Sequence, residues 1–194
     1  IFTRCEEAKQ EELQGFEKMP RIIGQLFDTY LLCEDDDLLM IDQHAAHERI
    51  IYERLKKEKE QKIATPQMLM IPEIKRVTSS EMAVFTANIE FLQSVGFEAE
   101  EFGINTIKIS AVPATLADDN AGNAIVEIID ALSSSRKNRE TAAEEYALYR
   151  VACRAAIKAG KNLDAIETDA LVRQVLDENK TVTCPHGRPA VIAL

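Results

Sequence analysis

The sequence predicts an α+β fold in which a smaller α/β block is inserted into a larger unit. Two observations predict this class. The segments run as strands, a helix, a middle βαββα-like block, and then helices with a final strand. In addition, 46% of the 194 residues are hydrophobic, so a substantial core can form. The expected boundaries are a linker end at 1–19, a larger unit of 20–63 with 136–194, and an inserted block at 64–135.

Charge and cysteine content limit the function classes. The formal net charge is −10, which argues against tight DNA binding by this segment alone, because phosphate contacts need Lys and Arg. The four cysteines lie far apart without a CxxC pair, so a zinc ribbon or thioredoxin-like site is disfavoured and a reducing cytoplasm is expected. The polar opening predicts no signal peptide, and no apolar run reaches the roughly 18 residues of a membrane span.

The first elements after the linker end are strands. Ile22–Cys33 is rich in β-branched and aromatic residues and predicts one strand with a bulge near Gly24. The acidic residues Glu34–Asp37 predict a turn, and Leu38–Ile41 predicts the second strand of a hairpin. Asp42 then precedes a long run of helix-forming residues, QHAAHERIIYERLKKEKE, which it is able to cap.

The middle block carries its own signals. The residues from Thr78 to Glu81 form a capping box for a helix that Gly96 ends, with Phe85, Ile89 and Leu92 on one face. The remaining segments follow in order: a short apolar stretch at 67–71, a hairpin of 97–102 and 106–112 around Gly103, helices at 121–132, 140–159 and 168–179, and extended segments at 181–184 and 190–194. The stripe Tyr146, Tyr149, Cys153 and Ile157 is expected to be the apolar face of the helix at 140–159.

The start of the long helix carries residues with metal-binding chemistry. His44 and Glu48 are four residues apart, so their side chains share one helix face, and an imidazole with a carboxylate can bind a metal ion. Glu53 lies on roughly the opposite side of the helix from His44. The alternatives are a solvent-exposed pair for His44 with Glu48 and a simple helix cap for Asp42.

A second candidate segment is CPHGRP, residues 184–189. In an extended chain Cys184 and His186 point to the same side, and thiolate and imidazole are good zinc ligands. Arg188 is able to meet a phosphate or a carboxylate. The alternative is a turn with a buried cysteine. Cys153, within Ala-Cys-Arg on a helix, is either a further ligand or a small core residue.

Together these segments resemble the endonuclease-type MutL family of DNA mismatch-repair proteins, and they match the C-terminal domain of its members. Residues 42–53 fit the family pattern DQHA, two residues, Glu, four residues, Glu. Residues 152–154 match its Ala-Cys-Arg motif, and residues 184–189 match its CPHGRP motif. Four further residues belong to these motifs without a predicted ligand role: Gln43, Glu53, Arg154 and Arg188. His47 occupies a free position of the pattern.

The resemblance implies a homodimer with a dimerisation subdomain and an inserted external regulatory subdomain. It places Asp42, His44 and Glu48 at a site that nicks one DNA strand, with Cys153, Cys184 and His186 as further metal ligands. Mn²⁺ or Mg²⁺ suits the carboxylates, and Zn²⁺ suits the cysteines and His186. The rival interpretation is a non-catalytic dimerisation and interaction module with a structural zinc site, and a weaker one is a zinc hydrolase of small molecules. The DQHA pattern favours the nuclease.

The resemblance also implies partners. Gln67–Pro72 (QMLMIP) resembles the motif by which the family binds the replicative sliding clamp, through Gln67, Leu69 and Pro72; the alternative is an apolar edge strand that ends at Pro72. The mismatch-recognition protein MutS is expected to act through the full-length protein, and DNA is expected to bind this domain weakly. ATP belongs to the family's N-terminal domain, whose motifs this sequence lacks. The expected location is the bacterial cytoplasm, at the nucleoid during repair.

Overall fold

The structure, a computed structural model, describes residues 19–116, 121–134, 140–158, 160–177 and 189–194. It confirms the α+β class. The elements are β1 Arg21–Leu26, β2 Tyr30–Glu34, β3 Leu38–Asp42, α1 Gln43–Gln61, β4 Pro66–Arg76, α2 Ser79–Ala87, α3 Ile89–Ser94, β5 Glu98–Glu101, β6 Thr106–Pro113, α4 Ala121–Ser134, α5 Glu140–Ala155, α6 Ala165–Asp177 and β7 Val191–Ala193. A short 3-10 turn, Ala114–Leu116, follows β6.

The chain forms two compact units. The first unit comprises the described residues up to Ala46 and from Gly160 onward, and the second unit comprises His47–Lys158. Helix α1 begins in the first unit and continues in the second. These two units are defined by compactness, whereas the predicted dimerisation and regulatory subdomains are defined by their roles. The predicted subdomains therefore stay a prediction.

The first unit contains an antiparallel sheet with the strand order β1-β2-β3-β7. The bulge predicted near Gly24 is confirmed, since the register shifts between Ile22 and Gly24. The single strand predicted for 22–33 is wrong. Phe27 and Asp28 adopt left-handed backbone angles, with φ of 54° and 48°, and the Thr29 amide donates to the Leu26 carbonyl, so a turn divides this segment into β1 and β2.

Both faces of this sheet carry apolar residues. One face is buried through Leu31, Cys33, Leu39 and Ile41, as expected for alternating side chains. The opposite face carries a row of directly paired residues across all four strands, which is half-buried and contains no charged residue: Gly24, Leu32, Met40 and Ile192. We call these four residues the apolar row. A sheet with one solvated face normally alternates apolar with polar residues, so the apolar row requires an explanation.

The second unit contains a sheet with the order β4-β6-β5 and a large apolar core. The predicted hairpin of β5 and β6 around Gly103 is confirmed, and Gly103 takes the positive φ of 96° that favours glycine. Each large side chain that is fully buried contributes roughly 1.5–3 kcal/mol through removal of apolar surface from water. The largest of these are Phe85, Phe97, Leu55, Leu92, Ile107, Ile109, Ile125, Ile128 and Ile129.

Strand β4 lies at the edge of this sheet and is interrupted. Met68 pairs with Ala111 and Glu73 pairs with Ile109. The four residues Leu69–Pro72 of β4 therefore lie opposite one residue of β6, Ser110, and are not paired with it. The alternative in which the strand ends at Pro72 is wrong, because pairing resumes at Glu73 and continues to the end of β4. We call Leu69–Pro72 the β4 excursion.

The capping box before α2 is confirmed. Thr78 Oγ1 accepts the Glu81 backbone N–H, and the Glu81 carboxylate accepts the Thr78 backbone N–H. These Thr78 hydrogen bonds hold the pKa of Glu81 below its usual range, so the cap contributes at neutral pH and is lost as the pH falls through this lowered value. The single helix predicted up to Gly96 is wrong. It is broken at Asn88, whose side chain donates to the Val84 carbonyl at 2.7 Å.

The predicted apolar stripe of α5 is only partly correct. Tyr149 is buried, but Tyr146 is exposed and Cys153 is half-buried, and the helix ends at Ala155 rather than at 159. The buried face consists mostly of small and aliphatic residues, namely Ala143, Ala147, Leu148, Val151, Ala152 and Ala156. Several alanines on this face allow α4 to approach closely.

The last helix, α6, begins three residues before its predicted start. Asp164 Oδ1 accepts the backbone N–H groups of Ile166 and Glu167, so Asp164 caps the helix. The predicted linker end up to residue 18, most of the polar break at 133–138, and the extended segment 181–184 lie outside the described residues. No helix in the part of the chain that the structure describes is long and apolar enough to cross a membrane.

Candidate functional site

The motif that begins at Asp42 lies where β3 passes into α1. The Asp42 N–H donates to the Ala190 carbonyl at 2.8 Å, which ties this end of β3 to the chain just before β7. Asp42 Oδ1 accepts the N–H groups of His44 and Ala45, both at 3.0 Å, so Asp42 caps α1. A carboxylate has about four lone-pair sites, so this capping is compatible with cation binding by the same side chain.

Gln43 is the most completely bonded residue of this junction. Its side chain is fully buried, and Nε2 donates to the carbonyls of Asp28 at 2.7 Å and Lys161 at 3.0 Å. Its Oε1 accepts from Gln25 Nε2 at 2.6 Å, and its backbone N–H donates to the Thr29 carbonyl. Both amide hydrogens and the amide oxygen are therefore used, and the start of α1 is held from three separate parts of the first unit.

Gln25 is a second hydrogen-bonded residue of this junction, and the sequence did not predict it. It lies in β1, where Nε2 also donates to the Lys161 carbonyl at 3.0 Å and Oε1 accepts the Leu163 N–H at 3.3 Å. We call Gln25 and Gln43, with the backbone carbonyls of Asp28 and Lys161, the glutamine network. The available signal was a single polar side chain within the otherwise apolar segment IIGQLF.

Glu48 is buried, with 5% of its surface exposed, one helical turn after the capped start of α1. This burial does not fit the alternative of a solvent-exposed pair with His44. A buried carboxylate is costly unless a hydrogen-bonding partner, an opposite charge or a cation compensates it. His44 lies in the first turn of α1 and is half-exposed. The predicted roles of both residues stay predictions.

His47 makes a contact for which the sequence predicts no role. Its Nδ1 accepts the backbone N–H of Ile157 at 2.9 Å, two residues beyond the end of α5. A neutral imidazole that accepts at Nδ1 carries its proton on Nε2. His47 therefore joins α1 to the chain that leaves α5, within the second unit.

Glu53, the last residue of the first motif, is engaged in an ion pair. Arg49, one turn earlier on α1, approaches its carboxylate at 2.5 Å, and the Arg49 guanidinium also lies 5.8 Å from the centre of the Tyr52 ring. This pairing agrees with the sequence expectation that Glu53 lies away from His44 on the helix.

The Ala-Cys-Arg motif lies in the last turns of α5. Ala152 is fully buried, and the Arg154 guanidinium pairs with Glu127 of α4 at 2.5 Å, where Arg150 also approaches at 3.2 Å. Arg154 therefore fastens α5 to α4. Cys153 is half-buried.

The remaining described cysteine is a core residue. Cys33 lies within β2 with no exposed surface, and burial raises the pKa of its thiol to about 11. Such a thiol stays protonated at neutral pH and is inert towards metals and oxidants.

The second predicted ligand segment, with Cys184, His186 and Arg188, lies outside the described residues. Within the described ranges, no three His, Cys, Asp or Glu side chains form a group able to hold a metal ion. The donor types of the predicted set nevertheless fit metal binding, since carboxylate oxygens suit Mn²⁺ or Mg²⁺ and thiolate with imidazole suits Zn²⁺.

Comparison with known proteins places this chain in a family. The family model described as the MutL C terminal dimerisation domain matches residues 23–163. The chain is 37% identical to the DNA mismatch repair protein MutL of Clostridium botulinum (strain Loch Maree / Type A3), over 95% of the chain and 28% of that relative. For the protein of the same name from Endomicrobium trichonymphae the identity is 40%, over 94% of the chain and 31% of the relative.

A third relative, the DNA mismatch repair protein MutL of Citrifermentans bemidjiense, is 36% identical over 89% of the chain and 27% of its own length. The chain thus spans less than a third of the length of these curated relatives. Because the family model covers most of the chain and the identities extend over nearly all of it, the chain belongs to the family of MutL C-terminal dimerisation domains.

Proposed function

We propose that this chain serves DNA mismatch repair as the dimerising part of a MutL protein, and that it nicks one DNA strand by metal-dependent hydrolysis. The family description and the names of the relatives support the first half. The observation that carries the second half is the hydrogen-bonded junction of β3 and α1, where the glutamine network and the cap hold the Asp42 carboxylate and the backbone of His44. Catalytic side chains need such positioning.

Asp42, His44 and Glu48 are the residues that would hold the hydrolytic cation, and Cys153, Cys184 and His186 would hold zinc. When bound, a divalent cation lowers the pKa of a water molecule and offsets the negative charge of the scissile phosphate. Two backbone amides already orient the Asp42 carboxylate, so this side chain would lose little further conformational entropy when a cation binds. Glu48 would add a second carboxylate to the same cation, one helical turn later on α1.

We propose that other parts of the full-length protein bind the DNA substrate, because this chain is acidic. A net charge of −10 disfavours contact with the phosphate backbone. DNA binding, ATP binding and contact with MutS are therefore proposed for the full-length protein, and the nuclease must be assayed in that form.

Asp42→Asn should abolish nicking without unfolding the protein. Asparagine caps helices as well as aspartate does, so the free energy of unfolding should change by less than about 1 kcal/mol. The charge that attracts a cation is lost, and nicking of supercoiled plasmid by the full-length protein with Mn²⁺ should fall at least about 100-fold, since changes even to residues behind metal ligands cost 10–100-fold. Agarose gel electrophoresis measures the nicking rate as conversion of supercoiled plasmid to the open-circular form, and a reaction with EDTA gives the background.

The matched control is Asp36→Asn, which removes the same charge from the exposed turn between β2 and β3. It should nick like the parent. If Asp42→Asn also nicks like the parent, Asp42 is a helix cap only. The chain would then be a dimerisation and interaction module with a structural zinc site, in which Asp42 serves only as the cap that the structure shows.

We further propose that the β4 excursion and Gln67 bind the sliding clamp. Gln67 is exposed, and Met70 and Ile71 project from the excursion with 102% and 82% of their surfaces accessible. Leu69, which the sequence motif includes, is instead packed partly against the core. Solvent-exposed apolar residues next to a polar anchor suit insertion into a partner's pocket.

Gln67→Ala combined with Ile71→Ala should therefore abolish binding to the purified clamp of the same organism in surface plasmon resonance. Both side chains are exposed, so the melting temperature should stay within about 2 °C of the parent. The control is Ile104→Ala, which truncates another exposed isoleucine, on the β5–β6 hairpin of the same unit. Retained clamp binding by the double variant would show that this segment is an edge strand without this partner.

The apolar row supplies the surface for the proposed homodimer. It crosses the whole sheet of the first unit as an apolar band on the face opposite the buried one. A twofold dimer buries the same patch of both subunits, so a self-complementary, uncharged row of aliphatic residues fits that requirement. We propose that a second copy of this chain covers it.

A further inference from the structure

We propose that His47 is a positioning residue for two of the proposed metal ligands, Glu48 and Cys153, because it fixes the end of α5 that carries Cys153 beside the turn of α1 that carries Glu48. The inference rests on the proposed function. It concerns only residues of the second unit, and the contact that carries it is the hydrogen bond from the Ile157 amide to His47 Nδ1 at 2.9 Å.

Two contacts show how α1 and α5 are arranged. His47, near the start of α1, lies beside Ile157, just past the end of α5, whereas Lys59, near the end of α1, pairs with Glu144, near the start of α5. The helices therefore run antiparallel, and the two contacts are spaced almost equally along both of them. Between these contacts, side chains of both helices share one core cluster: Ile51, Leu55, Ala147, Leu148, Val151 and Ala152.

Glu48 and Cys153 both lie at the His47 end of this helix pair. Glu48 follows His47 directly, and Cys153 lies four residues before Ile157. In a continuing helix the Ile157 N–H would bond to the Cys153 carbonyl, because each amide bonds four residues back. The helix instead ends at Ala155, and His47 accepts this amide. His47 therefore helps to determine where α5 stops, immediately after the Ala-Cys-Arg motif.

The chemistry of the contact separates positioning from simple packing. His47→Asn places an acceptor, Oδ1, on the same Cγ that carries Nδ1 in histidine, so it can still accept the Ile157 amide. His47→Leu fills a similar volume without any acceptor. If the hydrogen bond positions Glu48 and Cys153, the asparagine variant should keep the Mn²⁺ affinity that the leucine variant loses.

The experiment measures Mn²⁺ binding to the full-length protein without nucleotide, from the electron paramagnetic resonance signal of the free ion. His47→Leu should weaken Mn²⁺ binding at least about tenfold, which is the usual cost of losing a group that orients a metal ligand. Hydrogen exchange at the Ile157 amide, followed by mass spectrometry, should accelerate in the same variant. His47→Asn should restore both readouts to near the parent values.

The matched control is Lys59→Met, which removes the other contact between α1 and α5, at the end distant from Glu48. It should leave Mn²⁺ affinity unchanged even if it lowers stability. Should His47→Leu not fold, His47→Ala gives the same comparison without added bulk. Parent-like Mn²⁺ affinity in His47→Leu, or equal weakening in His47→Asn, would overturn the inference and leave the proposed function standing. A parent protein that binds no Mn²⁺ would overturn both.

Discussion

Met40→Lys should leave the chain folded and convert the proposed dimer into monomers. Met40 is half-buried and lies between Leu32 and Ile192 in the apolar row, so a lysine can extend into water in the monomer. In the dimer the new ammonium would be buried without a partner, which costs about 3–5 kcal/mol, and twofold symmetry introduces it twice. The dissociation constant should rise at least about 1000-fold.

Sedimentation equilibrium across the micromolar range, with circular dichroism to verify folding, measures this effect. The control is Ile166→Lys, which places the same charge on an exposed aliphatic residue of α6 in the same unit. It should sediment like the parent. The proposed interface is wrong if Met40→Lys remains dimeric, and dimerisation itself is wrong for this chain if the parent sediments as a monomer.

Gln43→Leu should lower the free energy of unfolding by about 4 kcal/mol. Leucine fits the buried volume but removes the two hydrogen bonds that Gln43 donates to the carbonyls of Asp28 and Lys161, and it leaves one N–H of Gln25 without an acceptor. Each lost hydrogen bond costs roughly 1 kcal/mol, and the unsatisfied N–H adds roughly 1–3 kcal/mol. A loss of this size is a large fraction of the 5–15 kcal/mol that stabilises a typical domain. Urea unfolding at one fixed protein concentration measures it, because a dimer's stability depends on concentration.

The control for this variant is Gln61→Leu, at the exposed last residue of the same helix, which should change stability by less than about 0.5 kcal/mol. Gln25→Leu combined with Gln43→Leu should cost clearly less than the sum of the two single variants, because both amides donate to the Lys161 carbonyl. Strict additivity of the two variants would show that the glutamine network does not act as a unit.

Local signals predicted the elements that depend on neighbouring residues. The capping box at Thr78, the glycine turn at Gly103 and the cap at Asp42 each involve groups only a few residues apart, and the structure confirms all three. The turn at Phe27 and the break at Asn88 were missed. Phenylalanine is common in strands and rarely adopts left-handed backbone angles. The residue type at Phe27 therefore predicts a continuous strand, whereas the chain turns there.

The candidate site could be predicted only where its residues form a contiguous motif. The spacing predicts Asp42, His44 and Glu48 as candidate ligands, but their neighbours Gln43 and His47 make contacts with distant parts of the chain. Gln25 and Gln43 meet Lys161, and His47 meets Ile157, across more than 100 residues. Tertiary folding alone brings such groups together, so no periodicity or local propensity reveals them.

The β4 excursion has a consequence for solubility. An uninterrupted apolar edge strand presents free amides and carbonyls to which other chains can add, and this is a common start of aggregation. The excursion divides β4 into a short pairing at Pro66–Met68 and another at Glu73–Arg76, and Pro72 offers no amide between them. The protein can therefore expose Met70 and Ile71 to a partner without offering a continuous edge on which its own copies could stack into fibrils.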